Sequence, residues 1–162
     1  MKTNLIIFLS KFTSGGAGNS IYRLCKGLPK KKFDISIICL KKCFFDKEFK
    51  KIGVKVYKIK SKKTFFAMTK VLNVTKSIIS KKYKKNIFIA NIHYTNVLSL
   101  IFLRNLYNLK IVLVERTPLM ELSIYFGFID FVKKNIIKLL IYLLYGLSDA
   151  IVCNSAYISK HF

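Results

Sequence analysis

Short apolar runs alternate along the chain with longer stretches in which apolar residues recur every three or four positions. Runs rich in Ile and Val predict six strands, at 4–10, 34–40, 54–59, 86–92, 110–115 and 149–154. The longer stretches predict helices at 19–28, 45–51, 64–82, 95–107 and 121–146, with a last helix that begins near Ala156. Strands that alternate with helices in this way are typical of βαβ units, whose strands form a parallel sheet.

Most of these strands are apolar on both faces, which indicates a sheet covered by helices on both sides. A half-exposed sheet would instead alternate apolar and polar residues. The chain has 162 residues, of which 52% are hydrophobic, so it has the size of one domain and can bury a substantial core. We therefore predict one α/β domain, 1–162, with a doubly wound, Rossmann-like parallel sheet.

The net charge of +23 is typical of proteins that bind nucleic acid or anionic lipid. Only three of the 30 basic residues are arginines, namely Arg23, Arg104 and Arg116. Arginine is the residue suited to bidentate phosphate recognition, so its scarcity argues against a dedicated nucleic-acid binder. We interpret the lysines mainly as a solvated surface and expect no specific nucleic-acid partner.

The predicted helix at 121–146 combines aromatic and aliphatic residues with Lys133, Lys134 and Lys138. Its longest apolar run is interrupted by Lys138 and is shorter than the ~18 residues of a membrane span. Two interpretations stay open. The helix lies on an anionic membrane surface, or it packs on the sheet with its lysines in solvent.

The four cysteines, Cys25, Cys39, Cys43 and Cys153, lie mostly inside apolar runs, where a free thiol behaves as a small hydrophobic group. This placement predicts reduced cysteines and a cytoplasmic protein. Cys39 and Cys43 have no second Cys or His pair at ligand spacing, so we expect no metal site.

Three glycines, Gly15, Gly16 and Gly18, lie between the first predicted strand and the first predicted helix. A turn with so little side-chain bulk, followed by the free N–H groups of a helix start, favours an anion. We therefore predict a loop that binds the phosphates of a donor. The structural alternative is a turn that needs glycine only for its backbone dihedral angles.

The glycine loop departs from two familiar phosphate-binding patterns. Ile21 stands where the dinucleotide fingerprint has its third glycine, and Lys41 and Lys42 follow the second strand in place of an acid. No Gly-Lys-Ser/Thr follows, so the P-loop pattern also fails. Two alternatives are an NADP-dependent Rossmann protein, in which Lys41 and Lys42 meet the 2′-phosphate, and a basic module that binds nucleic acid or a membrane surface.

Four segments, in order along almost the whole chain, resemble family 4 glycosyltransferases of the GT-B fold. The first is similar to the family's opening strand, "GGA" loop and helix, and reads "NLIIFLSKFTSGGAGNSIYRLCKGL". The other three resemble the fourth strand with its terminal His, the "V-V-x-x-x-R-N-x-P" segment, and the "ADAIVAVSEGVAKDL" stretch. They read "IANIHYTNVLSLIFLRNL", "KIVLVERTPL" and "LSDAIVCNSAYISKHF".

The resemblance implies that 1–162 is the N-terminal, acceptor-side half of a GT-B enzyme. Such an enzyme transfers a sugar, with retention of configuration and without a metal or other cofactor, from a nucleotide-sugar donor to a saccharide or lipid-linked acceptor in cell-surface glycan assembly. The C-terminal, donor-binding domain with its E-x7-E motif is absent from this chain, so we expect the chain alone to be inactive. We also expect a cytoplasmic location, with peripheral contact at the inner face of the plasma membrane.

One departure from the family concerns the glycine loop. Many members have Glu or Arg directly after "GGA", and here those positions hold Gly18 and Asn19. Any role of that Glu is therefore missing from this chain.

Candidate site residues lie where predicted strands end, because parallel sheets place ligands at the carboxyl ends of their strands. His93 follows the fourth strand, and the resemblance implies a catalytic role for it; the alternative is a structural core histidine. We predict acceptor binding by Tyr94, Asn96, Glu115 and Arg116. The alternatives are a helix cap at Asn96 and an internal ion pair between Glu115 and Arg116.

Overall fold

The computed structural model describes residues 1–40, 42–61 and 63–162. Six parallel strands form one sheet in the order β3-β2-β1-β4-β5-β6. The strands are β1 Thr3–Leu9, β2 Phe33–Leu40, β3 Lys55–Ile59, β4 Lys85–Asn91, β5 Leu109–Glu115 and β6 Ala150–Cys153. All six overlap the strands that the apolar runs predict, and the doubly wound Rossmann-like fold is confirmed.

Five helices connect successive strands, and a sixth follows β6. They are α1 Gly16–Gly27, α2 Asp46–Lys51, α3 Thr64–Ile78, α4 His93–Leu103, α5 Phe128–Leu144 and α6 Ala156–Ser159. Side chains of α1 and α2 pack on one face of the sheet. Side chains of α3, α4 and α5 pack on the other. Each central strand supplies both layers: in β1, Leu5 and Ile7 face α1, whereas Ile6 and Phe8 face α3 and α4.

The prediction of a single helix at 121–146 is wrong, because the chain there forms three separate helical segments. A 3₁₀ turn, Leu119–Ser123, precedes α5, and a second one, Tyr145–Leu147, follows it. The break before α5 is centred on Gly127, whose φ of 131° is a conformation that other residues rarely adopt. The carboxylate of Asp130 accepts a hydrogen bond from the Phe126 backbone N–H at 3.1 Å and fixes the start of α5.

Two helices begin earlier than the apolar spacing predicts, and both differences affect the functional site. Helix α1 begins at Gly16 rather than at residue 19, so the glycines form its first turn. Helix α4 begins at His93 rather than at residue 95. Helix α3 ends at Ile78, earlier than predicted, because the backbone becomes extended at Ile79.

Among the described residues, no helix has both the length and the apolar character needed to cross a bilayer.

Candidate functional site

The strand order creates a crevice at the carboxyl ends of β1 and β4. From these neighbouring strands the chain leaves toward opposite faces of the sheet, into α1 and into α4. Open α/β sheets bind their ligands at such a switch point. The Asn91 side-chain amide joins the two strand ends, since its Nδ2 donates to the backbone oxygen of Phe8 at 3.1 Å.

His93 is the first residue of α4 and lies against the last residue of β5. Its Nδ1 is 2.7 Å from Oε2 of Glu115, and the two side chains are 5% and 0% exposed. The two atoms are in close contact, but the geometry is not that of an aligned hydrogen bond. On the other side of the ring, Nε2 lies 3.2 Å from the hydroxyl oxygen of Thr117.

The Glu115 carboxylate sits in a buried polar cluster. Its Oε1 accepts hydrogen bonds from Nδ2 of Asn96, at 2.6 Å, and from the hydroxyl of Tyr145. Burial and the neighbouring carboxylate raise the pKa of Tyr145, which keeps its phenol as a donor. A buried carboxylate needs such partners, because an unpaired one would be very costly. The cluster therefore fixes both the position of Glu115 and the orientation of the His93 ring.

The backbone just before His93 is strained. Ile92 has a φ of 75°, which is an outlier for a β-branched residue and costs on the order of 1–3 kcal/mol. Its N–H still donates to the Val114 oxygen at 3.0 Å, so the ladder between β4 and β5 continues through the strained residue. Strain of this kind clusters at functional sites, and here it immediately precedes His93.

A cleft of about 730 Å³ opens beside His93, between α3, α4 and α5. His93 and Tyr94 lie in its wall, and Thr117 borders it from the segment after β5. Tyr94 is 43% exposed, so its ring and hydroxyl are available to a ligand. His93 therefore connects the buried polar cluster to this cleft.

The glycine loop lies on the other layer of the sheet, at the start of α1. No positive φ occurs at Gly15, Gly16 or Gly18, so dihedral freedom is not what these positions require. Gly18 is needed for space, because a Cβ there would lie 2.2 Å from the carbonyl oxygen of Thr13. Gly16, by contrast, faces open space, and the start of α1 is accessible.

Arg116 follows the last residue of β5 and contacts the end of β4. Its Nε donates to Oδ1 of Asn91 at 3.2 Å, which turns the guanidinium toward the strands of the switch point. Burial lowers the pKa of Arg116. Among the described residues no carboxylate forms an ion pair with it, and Glu115 pairs with His93 instead. The internal Glu115–Arg116 pair is therefore not formed.

The structure groups the predicted site residues in three places. His93 and Tyr94 reach the cleft, and Asn96 and Glu115 are buried behind them. Gly15, Gly16 and Gly18 lie on the opposite layer, and Arg116 contacts Asn91 at the end of β4. Asn96 does not cap α4, because its side chain bonds to Glu115. Both residues are buried, and the acceptor-binding role predicted for them stays a prediction.

Four residues of this region were not predicted from the sequence: Asn91, Ile92, Thr117 and Tyr145. Asn91 was recognisable in principle, as a polar residue at the end of an apolar strand. Nothing in the sequence marks Ile92 as strained or Tyr145 as a partner of Glu115, since these features depend on the tertiary packing.

The NADP alternative depended on Lys41 and Lys42 after β2. Lys41 lies outside the described residues, and Lys42 is exposed. Within the ranges that the structure describes, no group of three or more His, Cys, Asp or Glu side chains is arranged to hold a metal ion.

A search of the curated proteins finds no match. A comparison with solved structures agrees with the architecture described above. Among solved structures, the chain is similar to the N-terminal domain of a Candida albicans trehalose-6-phosphate phosphatase, with a TM-score of 0.54 and 12% sequence identity. The alignment covers 99% of this chain and 42% of that chain, and at this identity it shows the fold alone.

The family model "Glycosyltransferase Family 4" matches residues 14–162, which include the glycine loop, the His93 cleft and Arg116. The chain is therefore a Rossmann-like domain of the kind that forms the N-terminal half of GT-B enzymes, and it belongs to glycosyltransferase family 4.

Proposed function

We propose that this domain is the acceptor-side half of a retaining glycosyltransferase that moves a sugar from a nucleotide-sugar donor to a saccharide or lipid-linked acceptor in cell-surface glycan assembly. The observation that carries the proposal is the position of His93. It lies at the switch point of the sheet, next to a strained residue, and borders a cleft large enough for a sugar. Ligand sites have this place in the fold and this shape.

In the proposed mechanism, Nε2 of His93 donates a hydrogen bond to a substrate hydroxyl or to charge that develops during transfer. Glu115 contacts Nδ1 at 2.7 Å and supports the ring in this orientation. Thr117 now faces Nε2 and would yield this position to a substrate hydroxyl. Glu115 and Asn96 are positioning residues in this scheme, whereas His93 and Tyr94 contact the substrate.

The donor side of the proposal uses the start of α1. The free N–H groups of its first turn, at Gly16 and its neighbours, and the positive end of the helix dipole favour the donor's phosphates. The half-buried guanidinium of Arg116, which has no carboxylate partner among the described residues, adds positive charge on the acceptor side. The remaining donor contacts would come from a second domain outside these 162 residues, so we expect no turnover by the chain alone.

We also propose a cytoplasmic location with peripheral contact to an anionic membrane. The membrane contact is supported by the outer surface of α5. There Phe128 and Ile129 are 80% and 70% exposed, and the exposed Lys133 follows on the same helix. Exposed apolar residues flanked by lysines are typical of helices that lie in a bilayer interface.

The test of the transferase proposal joins residues 1–162 to the donor-binding half of another family 4 enzyme and measures sugar transfer from that enzyme's donor. We expect transfer by the joined protein and none by residues 1–162 alone. Calorimetric binding of the nucleotide sugar first shows that the donor half is folded. A joined protein that binds the donor yet transfers to neither saccharide nor lipid acceptors contradicts the proposal, and so does turnover by the chain alone.

A further inference from the structure

The cleft beside His93 has a wall of exposed aromatic rings. Phe65 and Phe66, in the first turn of α3, are 50% and 69% exposed and meet edge to face, with ring centroids 5.7 Å apart. Tyr94 continues this wall from the start of α4. Two adjacent exposed phenylalanines bordering a concave surface are typical of a binding site rather than of an ordinary protein surface.

Two lysine side chains, Lys63 and Lys133, border the same cleft. Nζ of Lys63 lies 6.0 Å from the centroid of the Phe66 ring, and Lys133 borders the cleft from α5. Neither lysine forms a salt bridge within the described part of the chain. Lys134 differs, because its Nζ is 2.8 Å from Asp130. The lining contains one carboxylate, that of the exposed Glu121, so two lysines with free charge outnumber it.

The apolar wall of the cleft continues onto the outer surface of α5. Ile136 borders the cleft and is 51% exposed. Beyond it the same helix exposes Val132, Leu139 and Leu143, which are 38%, 57% and 57% exposed. Within α5 only Ile137 and Ile141 are buried. An apolar path therefore leads from the aromatic wall to a helix surface that carries lysines and has no partner within the described part of the chain.

We propose that this cleft binds an amphipathic anion: the anionic head, a phosphate in the simplest case, lies between Lys63 and Lys133 beside His93, and the apolar chain passes Phe66 and Ile136 onto α5. The proposal rests on the proposed function only in calling this molecule the acceptor. It selects a lipid-linked acceptor over a free saccharide. An anionic bilayer that contacts α5 is the source that matches the charge of the exposed lysines.

The first test measures binding of decyl phosphate, below its critical micelle concentration, to the 162-residue chain by calorimetry. The matched probes are decyl maltoside, which has a neutral head, and inorganic phosphate, which has no chain. We expect decyl phosphate to bind at least tenfold more tightly than either. Equal binding of decyl maltoside would overturn the proposal, because the cleft would then recognise a chain or a sugar without the anion.

Variants locate the binding. Phe66→Ser removes an apolar contact with the chain of the ligand, so we expect at least tenfold weaker decyl phosphate binding. Lys133→Gln should weaken it severalfold and make binding less sensitive to salt. The matched controls are Phe44→Ser, 64% exposed on the other layer, and Lys31→Gln, also exposed. If the controls weaken binding as much as the cleft variants, the site is not this cleft and the proposal fails.

The second test concerns the source of the ligand. Vesicles of phosphatidylcholine and phosphatidylglycerol in a 7:3 molar ratio should bind the chain, and pure phosphatidylcholine vesicles should not. The double variant Phe128→Ser/Ile129→Ser should no longer bind the anionic vesicles but should bind decyl phosphate as the wild type does. If the wild-type chain does not bind the anionic vesicles, the proposal that the ligand comes from a bilayer is overturned. If the joined protein transfers no sugar while the 162-residue chain still binds decyl phosphate, the transferase proposal alone is contradicted. The failures of the two proposals are therefore distinguishable.

Discussion

Nδ1 of His93 lies 2.7 Å from Oε2 of Glu115, at a place where both side chains are almost completely shielded from solvent. This pair joins the first residue of α4 to the last residue of β5. Two further donors, from Asn96 and Tyr145, hold the same carboxylate. The fixed orientation of His93 is therefore a property of the protein interior, and it can be tested by changing Glu115.

Glu115→Gln keeps the size of the side chain and removes its charge. We expect a loss of about 2–4 kcal/mol in the free energy of unfolding, because a buried histidine and two donors lose their carboxylate partner. Urea unfolding followed by circular dichroism measures this loss. The matched control is Glu121→Gln at an exposed position, which should stay within about 0.5 kcal/mol of the wild type. Equal stability of both variants would show that the buried carboxylate is not structurally important.

The glycine loop gives a second prediction, because two of its glycines differ in the space around them. Gly18→Ala places a Cβ 2.2 Å from the Thr13 carbonyl oxygen, so α1 or the loop must shift and the melting temperature should fall by several degrees. Gly16→Ala meets open space in a helical position, where alanine stabilises by about 0.5–1 kcal/mol. Differential scanning calorimetry compares the two. A melting temperature unchanged in Gly18→Ala contradicts the close approach.

Most of the fold could be predicted from the sequence, and the reason is visible in β1. Its residues are apolar on both faces, so the sequence indicates a strand buried between two helix layers. The start of α5 could not be predicted from apolar spacing, because that spacing continues through Gly127 while the backbone does not. Gly127 itself was a signal for the break, and the adjacent aromatic residues obscured it.

The site could be predicted only in part. Strand ends identified His93 and Arg116, since parallel strands bring their carboxyl ends to one edge. The partner of each residue was not predictable: Glu115 precedes Arg116 in the sequence, yet successive strand residues point to opposite faces, and Glu115 pairs with His93 instead. The roles of Asn96 and Tyr145 arise from the same packing and have no local signature.

The pH dependence of Tyr83 gives a third prediction. Its hydroxyl donates to Oδ2 of Asp34 at 2.6 Å, and this hydrogen bond raises the pKa of Tyr83 to about 12 from a reference of 10.0. Between these two pH values the folded protein keeps a proton that the unfolded chain loses. The stability that this bond contributes is therefore complete below pH 10 and is lost as the pH rises toward 12.

Ultraviolet titration of the phenolate absorbance measures this shift. The folded chain should show a component that titrates near pH 12, and Tyr83→Phe should remove it. If the late component persists in Tyr83→Phe, it belongs to another tyrosine and the assignment is wrong.

The last prediction separates a functional His93 from a structural one by measuring sugar transfer and thermal stability on the same variants of the joined protein. His93→Ala removes a buried ring that contacts the Glu115 carboxylate, so a loss of about 2–4 kcal/mol in stability is expected whatever the function. Stability alone is therefore not diagnostic. If Nε2 contacts the substrate, transfer per folded molecule should also fall by about 10²-fold.

Thr117→Val provides the matched comparison. It removes the hydroxyl 3.2 Å from Nε2, keeps the packing, and should change stability by less than about 1.5 kcal/mol. Because the proposed substrate hydroxyl replaces Thr117 at Nε2, transfer by this variant should stay within a few fold of the wild type. Transfer per folded molecule that is unchanged in His93→Ala would remove His93 from the site. The start of α1 and the aromatic cleft would then be the remaining candidates for substrate contact.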